Sequence, residues 1–261
     1  MTEPIIRLSC FIGVLCIVAM LELVFPKRKL RLKKSYRWSN NLALVVLNTV
    51  VIRLVFPIAA VGVAFWCNTN NIGALNYFKI AEPVNVIIAF IILDLSIYVQ
   101  HLIFHYIPLL WSIHKVHHAD MDIDVTTGLR FHPLEMILSM LIKMTIVAII
   151  GAPVLAVIIF EIILNAGSLF NHGNIRLPKI VDKILRFLIV TPDMHRVHHS
   201  TILSETNSNF GFNLSVWDRV FKTYKAQPSK GHLGMDIGLD EYKDPKMSQK
   251  LQNILKIPFN K

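Results

Sequence analysis

Long apolar runs separated by short polar segments dominate the first two thirds of the chain. Residues 5–25 form one run, and residues 41–66 form a second that includes Arg53 and Pro57. A third run, residues 83–105, is apolar at first and becomes polar towards its end. Each run is long enough to cross a bilayer as a helix, with some tilt for the second. The pattern therefore predicts three membrane helices in this part of the chain.

The fourth apolar run, residues 134–166, is interrupted by the sequence Gly151-Ala152-Pro153. Proline disrupts a helix and glycine permits a turn, so a break is expected there. A single crossing would put the histidines before and after the run on opposite sides of the membrane, where they could not share a site. We therefore predict a helical hairpin that turns at these three residues. A single long helix kinked at Pro153 is the alternative.

Composition supports an integral membrane protein. Hydrophobic residues make up 54% of the 261 positions and charged residues only 17%, and the mean hydropathy is +0.52. Soluble domains usually contain about a quarter charged residues. The predicted fold class is an all-α integral membrane helical bundle of about three to four spans including the hairpin, with a cytoplasmic histidine-rich helical cap.

The formal net charge of +10 is concentrated in one place. Seven cations lie between the first two apolar runs: Lys27, Arg28, Lys29, Arg31, Lys33, Lys34 and Arg37. A basic patch can bind nucleic acid, but a patch directly after an apolar run favours a cytoplasmic loop. This orientation puts the histidines and the C-terminus in the cytoplasm and the N-terminus on the opposite side. The first run is too long for a signal-peptide core, so we expect a retained helix.

The three cysteines, Cys10, Cys16 and Cys67, do not form a C-x-x-C pair. Their odd number gives no disulfide framework. We expect them to be small buried apolar residues without thiol chemistry.

Ten of the eleven histidines lie between His101 and His199. They form one H-x-x-x-H box, two H-x-x-H-H boxes and two single positions: His101 and His105; His114, His117 and His118; His195, His198 and His199; His132 and His172. On a helix, positions i and i+4 share a face. Neutral imidazole binds iron, zinc, copper and nickel. Since so many imidazoles exceed what one ion can use, the pattern predicts a centre of two metal ions.

These boxes and the segments around them resemble the fatty acid hydroxylase/sterol desaturase superfamily. The resemblance runs from about Asp94 to Tyr224 and is carried by "DLSIYVQHLIFH", "LLWSIHKVHHADMDIDVTTGLRFHPLE", "NHGNIRLP", "TPDMHRVHHS" and "NFGFNLSVWDRVFKTY". It implies a non-haem di-iron centre that activates O2 to attack a C–H bond of a lipid. It also implies iron ligands at His101, His105, His114, His117, His118, His172, His195, His198 and His199. Some members of the superfamily have a further histidine where this chain has Ser168, which leaves His132 as a substitute ligand or a group behind the ligands.

Several polar residues are candidates for holding the histidines in place. A metal-binding histidine usually donates its other N–H to a carboxylate or carbonyl. Asp94, Asp120 and Asp193 lie close to the boxes in sequence and are candidate acceptors. Asn209 and Asp218, in the segment that resembles the superfamily, are expected to brace the site.

The redox partner is expected to be a separate protein. The chain has no G-x-G-x-x-G fingerprint, no cysteine set for an iron–sulfur cluster and no fused haem domain, so we expect neither bound nucleotide nor haem. A ferredoxin- or cytochrome-type donor with its reductase would supply electrons, and the lipid would come from the bilayer. We divide the chain into N-terminal membrane helices (1–82), a catalytic domain (83–226) and a basic C-terminal tail (227–261).

Lipid hydroxylation is the predicted function, and three alternatives are weighed against it. Desaturation by the same centre removes a second hydrogen instead of adding a hydroxyl group, and the sequence does not separate the two outcomes. A histidine-rich metal-binding or transport protein would carry ionisable residues along several spans, whereas here only Asp94 and Glu161 lie away from the histidine face. A haem protein would need fewer histidines than each box provides.

Overall fold

A computed structural model describes residues 3–78 and 81–260 of the chain. Within these ranges the protein is helical and contains no β-strand, in agreement with the predicted all-α class. The α-helices are α1 Glu3–Val24, α2 Lys34–Val55, α3 Ala60–Thr69, α4 Ala74–Tyr77, α5 Glu82–Tyr106, α6 Pro108–His118, α7 Pro133–Ile150, α8 Val154–Asn171, α9 Lys179–Leu185, α10 Pro192–His198, α11 Leu203–Thr206, α12 Val216–Val220, α13 Gly231–Gly234, α14 Pro245–Gln249 and α15 Leu251–Ile254. Three 3-10 turns cover Thr127–Leu129, Asp240–Tyr242 and Ile257–Phe259.

In the described part of the chain, five helical segments are long and apolar enough to cross a membrane. They are Glu3–Val24, Lys34–Tyr77, Glu82–Tyr106, Pro133–Ile150 and Val154–Asn171. The number exceeds the about three to four spans expected from sequence because each arm of the hairpin is long enough to count separately. The integral, multi-pass character of the protein follows from these segments.

The second apolar run is not one continuous helix. Helix α2 ends at Val55 and α3 begins at Ala60, with Pro57 between them. Proline has no N–H to donate and disfavours helical backbone in the residue before it, so the helix is interrupted there. The expectation of one helix over residues 41–66 was wrong in this respect.

The hairpin prediction is confirmed. Gly151 has φ of 65°, the left-handed conformation that favours glycine, and it separates α7 from α8. Across the turn, Lys143 Nζ lies 2.6 Å from Glu161 Oε1, which fixes the two arms side by side. The hairpin tip packs against Gly73, at the polar turn that follows α3.

The apolar core surrounds α5, which packs against α7 and α8. Apolar residues of different sizes are fully buried there, including Ala60, Ala89, Leu93, Val147 and Phe160. Because α5 is held on several sides, its C-terminal turns emerge from the core in a fixed position. Helix α6 begins only two residues after α5 ends.

The basic segment between α1 and α2 is tied to the histidine-bearing part of the chain. The Arg37 side chain is fully buried, with its Nη2 atom 2.6 Å from Asp120 Oδ2, and it also pairs with Asp124. Lys27 Nζ lies 2.6 Å from Asp193 Oδ2. These cations therefore make structural contacts in addition to any influence on topology.

The cysteines are all free thiols. Cys67 is buried as expected, but Cys10 is half-buried and Cys16 is exposed on α1. The expectation of three buried cysteines was therefore right for Cys67 alone.

Candidate metal centre

Four segments deliver histidines to one buried region. The end of α5, helix α6, the residue that follows α8, and helix α10 with its next residue bring nine imidazoles together. Their ring nitrogens form two groups, within each of which the candidate ligand atoms lie no more than 4.8 Å apart. Cluster 1 contains His101, His105, His114, His118 and His198, and cluster 2 contains His117, His172, His195 and His199.

Each H-x-x-H-H box contributes two histidines to one cluster and one histidine to the other. In α6, His114 and His118 belong to cluster 1, whereas His117 joins cluster 2. In the second box the i and i+4 residues belong to cluster 2, whereas His198 joins cluster 1. Since positions i and i+4 share a helix face, each pair stays together while the residue at i+3 faces the other group.

The clusters are direct neighbours. The ring centroids of His118 and His199, one from each cluster, lie 4.7 Å apart. Those of His114 and His117 lie 5.5 Å apart. All nine side chains are buried. The arrangement therefore has room for two ions side by side in one enclosed region.

Protein acceptors fix the orientation of six rings through their Nδ1 atoms. The acceptors are Phe210 O for His101 (2.8 Å), Asn207 Oδ1 for His105 (3.2 Å), Glu135 Oε1 for His114 (2.7 Å), Arg130 O for His117 (3.3 Å), Ser168 O for His172 (2.7 Å) and Ser208 O for His198 (2.8 Å). Carbonyl and carboxylate oxygens can only accept, so each Nδ1 carries the proton. The Nε2 atom of each neutral ring is then unprotonated and carries a free lone pair, as in metal-binding histidines.

Most Nε2 atoms of the cluster histidines have no protein partner. Among the nine cluster histidines, six buried Nε2 atoms have no hydrogen-bond partner in the described part of the chain: those of His101, His105, His114, His118, His198 and His199. In cluster 2, His172 Nε2 lies 3.0 Å from His117 Nε2 and 3.0 Å from His195 Nε2. Both His117 and His172 hold their proton on Nδ1, so two lone pairs face each other. A cation between them removes this repulsion.

The separation of these nitrogens also fits a shared ion. Two imidazole nitrogens that bind one ion at about 2.1 Å and at right angles lie about 3.0 Å apart. The distances from His172 Nε2 to the other two nitrogens match this value. The donor set therefore fits a bound metal.

Burial keeps the imidazoles neutral. It lowers the pKa of each cluster histidine that lies outside the membrane helices, and neighbouring imidazoles lower several of them further. For His172, burial lowers the pKa to about 3. A ring that stays unprotonated at neutral pH keeps its lone pair available for a metal.

His132 lies outside both clusters. Its Nδ1 accepts from the backbone N–H of Leu134 at 3.1 Å and so caps the start of α7. Its Nε2 lies 3.3 Å from the carbonyl oxygen of Leu255. Both ring nitrogens are thus engaged by backbone groups, and the structure does not bring this residue to the metal centre.

The three aspartates are paired with groups other than the cluster histidines. Asp94 accepts from Trp217 Nε1 and Asn213 Nδ2, each at 2.8 Å, and so ties α5 to α12 and to the segment before it. Asp120 is bound by Arg37: burial alone would raise its pKa, but the guanidinium outweighs burial and lowers the pKa to about 2.

Asp193 pairs with Lys27 and Arg196. Like the other two aspartates, it holds the surrounding segments together and makes no hydrogen bond to a cluster histidine among the described residues.

Asn209 and Asp218 act on the centre through the backbone. Asn209 donates to the carbonyl oxygens of Met194 (2.9 Å) and Lys225 (2.8 Å) and has φ of 53°. Asp218 accepts from the backbone N–H groups of Phe210 (2.7 Å) and Gly211 (2.8 Å). These bonds hold the segment whose carbonyl oxygens accept from His101 and His198.

Two side-chain partners of the cluster histidines, Glu135 and Asn207, were not predicted from sequence. Glu135 lies in the first turn of α7, is buried, and accepts from His114. A carboxylate at the start of an apolar run, three residues after His132, was the available signal. The backbone acceptors at Arg130, Ser168 and Ser208 have no side-chain signature, so only the fold identifies them.

Comparison with known proteins gives the family. The profile of the fatty acid hydroxylase family matches residues 86–223, more than half of the chain and all nine cluster histidines. No solved structure matches the chain.

Among curated proteins, the chain is 25% identical to ornithine lipid hydroxylase OlsE of Rhizobium tropici over 88% of its own length and 69% of that protein. It is 24% identical to human alkylglycerol monooxygenase over 61% of its length, and this match covers 35% of the human protein. It is 23% identical to rat cholesterol 25-hydroxylase over 57% of its length and 49% of that protein. The chain thus spans about a third of the monooxygenase that it matches. The resemblance inferred from the histidine boxes is confirmed, and the chain belongs to the fatty acid hydroxylase family.

Proposed function

We propose that this chain is a membrane-bound lipid hydroxylase with two irons, which takes O2 as cosubstrate and electrons from a separate donor protein. The observation that carries the proposal is the convergence of nine buried, neutral imidazoles, six of which have an Nε2 atom without a hydrogen-bond partner among the described residues. The names of its relatives, which are lipid hydroxylases and a monooxygenase, support the choice of reaction.

Cluster 1 would hold one iron and cluster 2 the other. When bound, the two irons would supply the activation of O2 that the attack on a C–H bond requires. The protein's contribution is positional: hydrogen bonds at Nδ1 hold six rings, and their Nε2 atoms keep lone pairs for the metal. Phe210 and Phe131 pack on the rings, at centroid distances of 5.6 Å from His101 and 4.7 Å from His117, and help to exclude water.

The helices around the centre favour a substrate that comes from the bilayer. Helices α5 and α8 run from the apolar core to the histidines, so a lipid chain that approached the centre along them would stay in an apolar environment. Residues 83–226 would form the catalytic domain, with 1–82 as membrane helices and 227–261 as the tail. We assign the histidines and the C-terminus to the cytoplasmic side on the basis of the basic segment before α2.

Metal analysis of the full-length protein, purified in detergent from iron-replete cells, tests the centre. We expect about two iron ions per chain in the wild type. His117→Ala should lower the iron content. His132→Ala is the matched control, because it removes a buried histidine outside both clusters and should leave the iron content unchanged. Equal iron content in all three proteins, or less than about one ion per chain in the wild type, would refute the proposal.

Lipid profiling of cells with and without the gene tests the reaction. A hydroxylated lipid that depends on the wild-type gene, and is absent with His117→Ala, supports hydroxylation. A product with a new double bond instead would assign desaturation to the same centre.

A further inference from the structure

A basic cavity lies at the end of α1, outside the two histidine clusters. Its volume is about 460 Å³. The end of α1, the segment after it and the segment that follows His172 form its walls. Five of the six charged residues that line it are cations: Lys27, Arg28, Lys29, Lys34 and Arg176, against the single carboxylate of Glu22.

Two of the five cations have carboxylate partners. Lys34 Nζ lies 2.9 Å from Glu22 Oε2, and Lys27 Nζ lies 2.6 Å from Asp193 Oδ2. Glu22 also accepts from the backbone N–H of Asn174 at 2.8 Å. The only carboxylate in the lining is therefore fully engaged.

The other three cations have no carboxylate partner within the described ranges. Arg28 donates to the carbonyl oxygens of His232 and Met235, which are neutral acceptors. Lys29 and Arg176 are exposed and make no ion pair or side-chain hydrogen bond with any residue that the structure describes. The cavity is therefore an uncompensated positive site, which suits a phosphate group.

An apolar groove continues from the basic cavity. Its volume is about 310 Å³, and it is lined by Ala19, Leu23, Lys34, Ser35 and Trp38. Leu23 and Lys34 line both spaces. Leu23 is 71% exposed on α1, a helix apolar enough to span the membrane, so the groove opens towards the acyl-chain region.

We propose that the cavity and the groove together bind one anionic glycerophospholipid. Its phosphate lies among Arg28, Lys29 and Arg176, and one acyl chain lies against Leu23 and Trp38. Cations at the end of a membrane helix attract anionic lipid headgroups. The adjoining groove adds an apolar contact that an acyl chain can make and a free phosphate ion cannot. The lipid site is separate from the metal centre.

Lipid titration of the detergent-solubilised full-length protein, followed by native mass spectrometry, tests the site. We expect tighter binding of palmitoyl-oleoyl phosphatidylglycerol than of palmitoyl-oleoyl phosphatidylcholine. The double variant Lys29→Gln/Arg176→Gln should weaken phosphatidylglycerol binding about tenfold and leave phosphatidylcholine binding unchanged. Both side chains are exposed and without partners, so the variant should keep the wild-type melting temperature.

The matched control is Lys183→Gln/Lys222→Gln, which removes two exposed, unpaired cations outside the cavity. It should bind phosphatidylglycerol as the wild type does. A second measurement uses phosphatidylglycerol with brominated acyl chains, which should quench wild-type tryptophan fluorescence more strongly than that of Trp38→Phe.

Three results would overturn the lipid site: unchanged affinity in Lys29→Gln/Arg176→Gln, an equal loss in the control variant, or quenching that does not depend on Trp38. Displacement of the phospholipid by millimolar inorganic phosphate would show a free-anion site instead and would also overturn it. These measurements require neither metal nor turnover, so their failure is distinct from failure of the proposed function.

Discussion

The Nε2 atoms of the cluster histidines determine what the centre can bind. Six rings donate a hydrogen bond from Nδ1 to a protein acceptor, and five of the six acceptors are uncharged. Glu135 is the exception, since its carboxylate accepts from His114. A carboxylate behind an imidazole makes the ring a stronger metal ligand and fixes its tautomer. His114 is therefore expected to be the ligand most sensitive to its partner.

Glu135→Gln should weaken metal binding by about tenfold. The amide keeps an oxygen near His114 Nδ1, 2.7 Å away in the wild type, but it loses the negative charge. Chelator competition with purified protein measures the affinity. Glu82→Gln, at the exposed start of α5, is the control and should bind metal as the wild type does. Wild-type affinity in Glu135→Gln would contradict the role of the carboxylate.

Arg37→Met should destabilise the protein by about 3–5 kcal/mol, because it leaves Asp120 and Asp124 buried without their cation. Arg31 pairs with Asp236 at the surface, where both side chains are about two-fifths exposed. Arg31→Met should therefore cost less than about 1 kcal/mol. Denaturant unfolding in detergent measures both variants. An equal loss of unfolding free energy in the two variants would show that the buried ion pairs of Arg37 contribute no more to stability than the surface pair of Arg31.

At the scale of elements, the two H-x-x-H-H helices divide their histidines in the same way. Within each box the i and i+4 residues remain in one cluster, and the residue at i+3 enters the other. Helices α6 and α10 are short, with 11 and 7 residues, and each is buried near its histidines. Their positions depend on the longer helices, above all on α5 and on the α7–α8 hairpin that returns the chain to the same end.

Gly151→Ala should destabilise the turn between α7 and α8. A Cβ atom there would lie 2.4 Å from the carbonyl oxygen of Ile72, and φ of 65° already disfavours any residue with a side chain. We expect a loss of about 1–3 kcal/mol, measured by thermal unfolding in detergent. Gly13→Ala is the control, since nothing lies within 4 Å of a Cβ atom added there. An unchanged melting temperature in Gly151→Ala would show that the turn does not need glycine.

At the scale of the whole molecule, sequence predicts the elements better than their mutual arrangement. Apolar length and the Gly151–Ala152–Pro153 break were sufficient for α1, α5 and the hairpin, because these features act locally, but the prediction missed the interruption at Pro57 in the second run. From sequence, His132 was either a substitute ligand or a group behind the ligands, and the fold shows that backbone groups engage both of its ring nitrogens. The division of histidines between clusters depends on how α6 and α10 are rotated against each other, and tertiary packing sets that rotation.

This division predicts how metal loss should depend on the choice of histidines. His172→Ala/His199→Ala removes two residues from cluster 2 and leaves all five of cluster 1. One ion should be lost and about one retained at wild-type affinity. His118→Ala/His199→Ala removes one residue from each cluster. Both ions should then bind, each more weakly.

Chelator titration of purified protein separates the two cases. The variant His172→Ala/His199→Ala should begin the titration with one tightly held ion. The variant His118→Ala/His199→Ala should lose both of its ions at a lower chelator concentration than the wild type. Each variant removes two neighbouring imidazoles, with centroids 5.1 Å apart for His172 and His199 and 4.7 Å apart for His118 and His199, so the two variants remove the same volume from the same region. Identical titration curves would therefore mean that the nine histidines act as one undivided site, and the two-cluster assignment would have to be abandoned.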